Sequence, residues 1–411
     1  MDFKSFAYLA VHLMMVILIY FIYSYYNVFL KLPNNENLMQ FDAQLYHEIG
    51  SRGYKFIPNK PSNLAFFPLF PYLWNLLKAT PVVVSLINII LFAFSFSLLD
   101  HQEYNFNISK TLSILSLPSF IFFAVPYSES LFFCFGCAII VGYRINSEWL
   151  KYLGFFGASL TRSVSVIFIP AIIVCEIFNK RGLPRSVGIL NAMKLILVNI
   201  TALLVVAYVQ YYQTGKWLYF IEVQQFWHRK LSLIKLPITT MSENRLMALD
   251  SLALVFGTVA CIYLLIYFRS IQTRFKFFEI DNAVLFSILY IAAITVIDLL
   301  FTSNTGGTNI WSLNRHLIAT PFFITFYYWL TKRANLFPRE FVALFCIIII
   351  VPFLTNLRNY PTTLMLQYGV SIFALISGTM KLNLGFITLY LISTAIQLYF
   401  FYGFISGQFL G

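Results

Sequence analysis

The chain has 411 residues, 59% of them hydrophobic and only 11% charged, where a soluble protein of that length carries about a quarter charged residues; a soluble globular fold is excluded. The net charge of +12 does not point to nucleic acid, because the cations are scattered through short loops and build no basic domain. They fit the Lys/Arg excess of cytoplasmic membrane loops or cations that hold an anionic lipid phosphate, and the short alternating segments of an outer-membrane barrel are absent.

Apolar runs of about 20 residues, enough to cross a bilayer, recur from end to end. The first, about Phe6 to Phe29, is too long for a cleaved leader and lacks a small-residue cleavage site, so it reads as an uncleaved span. A long polar stretch follows, FDAQLYHEIGSRGYKFIPNKPSNLAFFPLFP from Phe41 to Pro71. Asp42 and Tyr46 are four apart, Ile49 and Gly53 continue that face, and Gly53 is placed to stop a short helix. Asp42 itself suits either an N-cap or a functional carboxylate.

The second span is expected over Pro81 to Leu99. Ser109 is a plausible N-cap for a third, which carries Pro118 and ends at Pro126. The turn PYSES leads to a fourth span closing at Arg144. Two short spans are expected next, about Trp149 to Leu160 and Val164 to Phe178, meeting at Thr161-Arg162-Ser163; one broken helix is the alternative, its irregular backbone tolerated only against protein or water. The basic loop NKRGLPRS precedes a span over about Ile189 to Tyr212, then a second long polar segment to about Arg245. Further spans are expected over about 249–268, 283–301, 317–330, 341–354, 364–378 and 384–404. The fold expected is an all-α polytopic membrane protein, one domain over 1–411, with about 11–13 transmembrane helices and outer loops at about 32–80 and 213–247.

Setting NKRGLPRS inside also puts FRSIQTRFK and TKRANLFPR inside and the Phe41 loop outside. Asp42, the turn from Pro126 to Glu129, Arg162, the Trp217–Arg229 segment and Arg315-His316 then share the outer face, which suggests one site there. Aromatic faces suit sugar rings and cations suit phosphate, so the content fits transfer from a lipid-phosphate sugar. Such transfer needs a base for the acceptor hydroxyl and positive charge for the departing phosphate, but no second carboxylate as in a glycosidase. Asp42 is the base candidate, with Arg315 and Arg162 for the phosphate.

Other roles suit several of these residues. Arg315 could snorkel at a span end, Glu129 could bond backbone near Pro126, and Trp217, Trp227 and Trp311 could be interface-belt aromatics. His228 and His316 lack metal-ligand spacing and suit structural roles. Cys134 and Cys137 spell CxxC inside FFCFGCAII with no further ligand beside them, and read as packing residues. No DxD pair argues for a bound metal.

These residues resemble a known family. FDAQLYHEIGSRGY with AFFPLFP resembles the first-loop signature of the PIG-V-type GPI second mannosyltransferases, where a W/F-D-A pair, a downstream G-Y and an A-F-F-P-x-F-P block recur. PSFIFFAVPYSESLFF resembles the family's tyrosine-serine-glutamate turn, SLTRSVSV its T/V-R-S block, and NRHLIATPFF its later Arg-x-Leu…Pro block. Val164-Ser165 stand where the family often has Asn-Gly. The resemblance implies a GT-C-type fold with the catalytic Asp42 in the first non-cytoplasmic loop, and Glu129, Arg162 and Arg315 as site residues. Tyr46, Gln224, Trp227, His228, Arg229 and His316 complete the candidate substrate-binding set. It also implies inverting transfer of a hexose, with mannose expected, from a polyprenyl-phosphate donor to a glycolipid or glycan acceptor. No cofactor is expected beyond that lipid-linked co-substrate. TGKWLYFIEVQQFWHR is more similar to bacterial relatives, which implies a bacterial inner-membrane homologue with an outward-facing site; an ER enzyme of GPI assembly with a luminal site is the alternative. From other classes, a lipid-glycan flippase predicts internal repeats and mid-membrane charges, and a non-catalytic assembly subunit predicts that the outer polar cluster tolerates substitution.

Overall fold

The computed structural model describes residues 3–102, 108–178, 184–227, 229–240, 244–273, 280–301, 307–336, 338–377 and 380–409. Helices dominate it, and among the described residues extended backbone pairs only as the isolated bridges Leu231–Phe301, Ile238–Thr355 and Thr239–Asn309. Among the described residues, six helices are long and apolar enough to cross a membrane: Phe6–Tyr25, Pro81–Leu99, Arg185–Thr214, Met247–Thr273, Asn282–Leu300 and Leu384–Ile405. They fit a multi-pass membrane protein, with large apolar side chains such as Leu18, Ile90, Leu197 and Leu265 left on the outside, where lipid replaces a core.

The other expected spans are shorter or broken, each for a local reason. The third becomes the helix Ile108–Leu115 and then a 3-10 turn, Pro118–Phe123. Pro118 has no N–H to continue an α-helix, and the whole 3-10 turn is buried. Ser109 lies inside that first helix, not at its cap; its carbonyl accepts from Ser113 Oγ. The two short runs are interrupted at Arg162 under either reading, Glu148–Thr161 giving way to a 3-10 segment, Ser163–Ile167. The run expected from Leu317 divides at Pro321 into Leu313–Leu317 and Pro321–Leu336. A count of 11–13 full spans is therefore not reached by long helices among the described residues.

Packing sets the direction of each helix relative to the site. Glu129–Arg144 and Glu148–Thr161 form a tight antiparallel hairpin through Asn146, at φ 53. Asn282–Leu300 lies between Asn244–Thr273 and Pro321–Leu336. Between these helices sits an aromatic core of Phe132, Phe155, Phe168, Phe286, Tyr290 and Phe322, with the Tyr290 and Phe322 centroids 4.4 Å apart. Such rings contribute large buried areas and mutual edge contacts. Glu129–Arg144, Asn244–Thr273 and Pro321–Leu336 all start at one end of this core, and Glu148–Thr161 and Asn282–Leu300 finish there. The loop helix Asp42–Arg52, packed on Leu69–Leu77, is joined to the same end.

Candidate functional site

The carboxylate of Asp42 enters the site from the first residue of its helix. It is not the N-cap: Phe41 holds that position, at φ 51. Of the face expected from spacing, Tyr46 and Ile49 are buried, joined by Ala43, while Asp42 stays partly exposed. Gly53, at φ 80, ends the helix with its N–H on Ile49 O at 3.0 Å, a conformation that favours glycine. Tyr46 then ties the helix to the PYSES turn, its hydroxyl 2.8 Å from Ser128 Oγ. Burial pushes the Tyr46 phenol up to about 12, so it stays protonated as a hydrogen-bonding group at neutral pH.

Four charged groups form one connected chain. Arg315 Nη1 donates to Asp42 Oδ2 at 2.5 Å, and Arg315 Nε donates to Glu129 Oε1. The same Glu129 oxygen accepts from Arg162 Nη1 at 2.5 Å. Glu129 begins its helix, where the dipole favours an anion. Arg162 projects from the extended residue at the helix break, and its guanidinium lies over Phe132 at 5.8 Å. Arg315 lies over Tyr127 at 4.5 Å, close enough for cation–π attraction. Burial works against its charge, but the Glu129 and then the Asp42 carboxylates more than offset that, and hold its pKa well above the ordinary value.

The two acids differ in access. The Asp42 side chain is 17% exposed and that of Glu129 is 0%. A solute can therefore meet Asp42, whereas Glu129 serves the two arginines. Arg315 is buried and does not snorkel to the surface. Glu129 is held by side-chain cations, in place of the purely backbone role considered for it.

A second polar group adjoins the first through the next residue. His316 Nδ1 lies 3.6 Å from Asp298 Oδ2, and Arg229 Nη1 donates to Asp298 Oδ1. Arg229 Nη2 also donates to the Trp311 carbonyl at 3.1 Å. Burial lowers the His316 pKa to about 4 although Asp298 pulls it upward, so the ring is neutral at pH 7.

The remaining candidates lie farther out. Trp227 Nε1 donates to Ser62 O at 3.2 Å, and its ring meets the edge of Phe66, which meets Tyr46 in turn. Gln224 turns back onto the Phe220 carbonyl of its own turn and is not brought to the charged chain. His228 lies outside the described residues. Trp217 is 49% exposed, in keeping with a belt position.

Asp250 and Asn314 are the site-end residues that the sequence reading missed. Both are fully buried, and Asp250 Oδ1 accepts from Asn314 N at 2.9 Å and Asn314 Nδ2 at 2.7 Å. The available signal was an acid standing inside the apolar run MALDSLALV, since ionisable residues in spans are functional candidates by default.

Among the described residues no cluster of His, Cys, Asp and Glu is arranged to hold a metal ion. No family model matches this chain, and neither does any curated protein or solved structure.

Proposed function

We propose that the protein is an inverting glycosyltransferase that moves a hexose, with mannose expected, from a polyprenyl-phosphate carrier to a glycolipid or glycan acceptor at the non-cytoplasmic face. One observation carries this reading. Asp42, Glu129, Arg162 and Arg315 come from four distant stretches of sequence, each a block of the PIG-V-type resemblance, and they meet in a single chain of ion pairs.

The chemistry follows from how Arg315 is shared. A donor phosphodiester offers a guanidinium two non-bridging oxygens for a bidentate bond, where Asp42 gives Arg315 one. Arg315 turning toward that phosphate releases the Asp42 lone pairs to the acceptor hydroxyl. Asp42 then takes the hydroxyl proton as the acceptor oxygen attacks the anomeric carbon. The bond from that carbon to the phosphate oxygen breaks with inversion, and Arg315 and Arg162 take up the charge left on phosphate. Glu129 keeps both arginines aimed at that point throughout.

The test uses purified protein in detergent with polyprenyl-phosphate mannose or, separately, polyprenyl-phosphate glucose, and a membrane-lipid extract as acceptor. Wild type should release polyprenyl phosphate from one donor. Asp42→Asn should lower that release by about 10²-fold or more with an unchanged thermal-unfolding midpoint. Equal release by the variant would sink the assignment of Asp42.

A further inference from the structure

Asn314, Arg315 and His316 are consecutive, and each meets a carboxylate from a different helix. Asn314 bonds Asp250 of Asn244–Thr273, Arg315 bonds Glu129 of Glu129–Arg144, and His316 faces Asp298 of Asn282–Leu300. All three carboxylates are at most 1% exposed. Burying acids in this way is costly unless each is well bonded, so their convergence on one short turn calls for a reason.

The turn itself supplies one. Leu313–Leu317 is a helix of five residues, too short to be stable alone. The residue before it, Ser312, is at φ 67, where a non-glycine side chain is disfavoured. Its register must come from outside. A slip of one residue would rotate Arg315 by about 100° and take it away from its partners. Asp250 is the contact that grips backbone and side chain together, through Asn314 N and Nδ2. Thr240 Oγ1, 3.4 Å from Asp250 Oδ2, connects the same acid to the extended segment that begins at Arg229. Tyr290 adds a bond from its hydroxyl to the His316 carbonyl at 2.9 Å.

We infer that Asp250 is a positioning residue: by holding Asn314 it fixes the register of the 313–317 turn, and so keeps the Arg315 guanidinium between Asp42 and Glu129. Its consequence for catalysis rests on the transfer reaction proposed above; the holding of Arg315 does not.

The test labels the full-length protein with 15N-arginine and follows solvent exchange of the Arg315 Nε–H, identified by its loss in Arg315→Lys. Wild type should show a slowly exchanging signal. Asp250→Leu removes both acceptor oxygens at similar size and should speed exchange about tenfold or more, while Asp250→Asn keeps one acceptor for the Asn314 N–H and should restore most of the protection. Polyprenyl-phosphate release should follow the same order. Should Asp250→Leu not fold, Asn314→Ala removes one of the two bonds from the other side and should speed exchange to a smaller extent. Exchange that is already fast in wild type, or unchanged in Asp250→Leu and Asn314→Ala, overturns the inference. A wild type that releases no polyprenyl phosphate from either donor defeats the transfer reading, and the Arg315 exchange still decides the role of Asp250.

Discussion

Asp42 and Glu129 carry the same chemical group, and their surroundings give them different work. One opens partly to solvent, while the other is sealed between two guanidiniums. His316 shows the same dependence on surroundings through its proton. Its ordinary pKa of 6.5 is lowered to about 4 in the fold, so between those values the unfolded chain binds a proton that the native protein does not. That contribution to stability is complete above about pH 6.5 and is lost as pH falls toward 4. The thermal-unfolding midpoint in detergent should accordingly drop from pH 7 to pH 4.5, and His316→Gln should show a shallower drop. An equal slope in both proteins would place the pH dependence elsewhere.

Elements bring these residues together, and one close approach is between Glu129–Arg144 and Glu148–Thr161. A Cβ added at Gly154 would lie 2.7 Å from Phe135 O and 2.8 Å from Ile139 N, backbone atoms that cannot turn aside. Gly154→Ala should therefore cost about 1–3 kcal/mol by overpacking, read as a lower unfolding midpoint, and should disturb Arg162 at the far end of the same helix. Long uninterrupted spans such as Pro81–Gln102 and Asn282–Leu300 were legible in the sequence, because twenty apolar residues in a row have few other uses. The helix break at Arg162 was legible for the same reason, as two apolar runs each too short to cross. The reduction of the third span to a buried 3-10 turn was not, since a Pro-containing apolar run looks alike whether it crosses lipid or folds inside protein. Within the site, Asp42, Glu129, Arg162 and Arg315 stood out because the order of spans put them on one face and each falls in a block of the resemblance. Asp250 and Asn314 did not, because the bonds that give them meaning join residues 64 positions apart.

At the scale of the whole molecule, helix direction sorts the polar residues to two ends. Asp42, Glu129, Arg162, Asp250, Asp298 and Arg315 share one, and Arg144, Glu148, Arg333 and Glu340 sit at the other ends of helices that begin or finish near the site. The two ends should lie on opposite sides of a membrane. On a cysteine-free background, Lys60→Cys, exposed in the loop between Asp42–Arg52 and Leu69–Leu77, should react with an impermeant thiol reagent in intact cells. Lys332→Cys, exposed at the end of Pro321–Leu336, should react only after permeabilisation; labelling of both from outside would refute this orientation. The chain of ion pairs also balances two acids against two bases, so its formal charge is zero. A neutral cluster casts little field beyond its own rim. An anionic lipid would feel no long-range pull from it, and would reach it by drifting within the bilayer, where a search in two dimensions takes the place of electrostatic capture from water. The cluster's share of recruitment would then follow the abundance of the lipid around the protein, and any dependence on salt would come from the other cations of a chain with net charge +12.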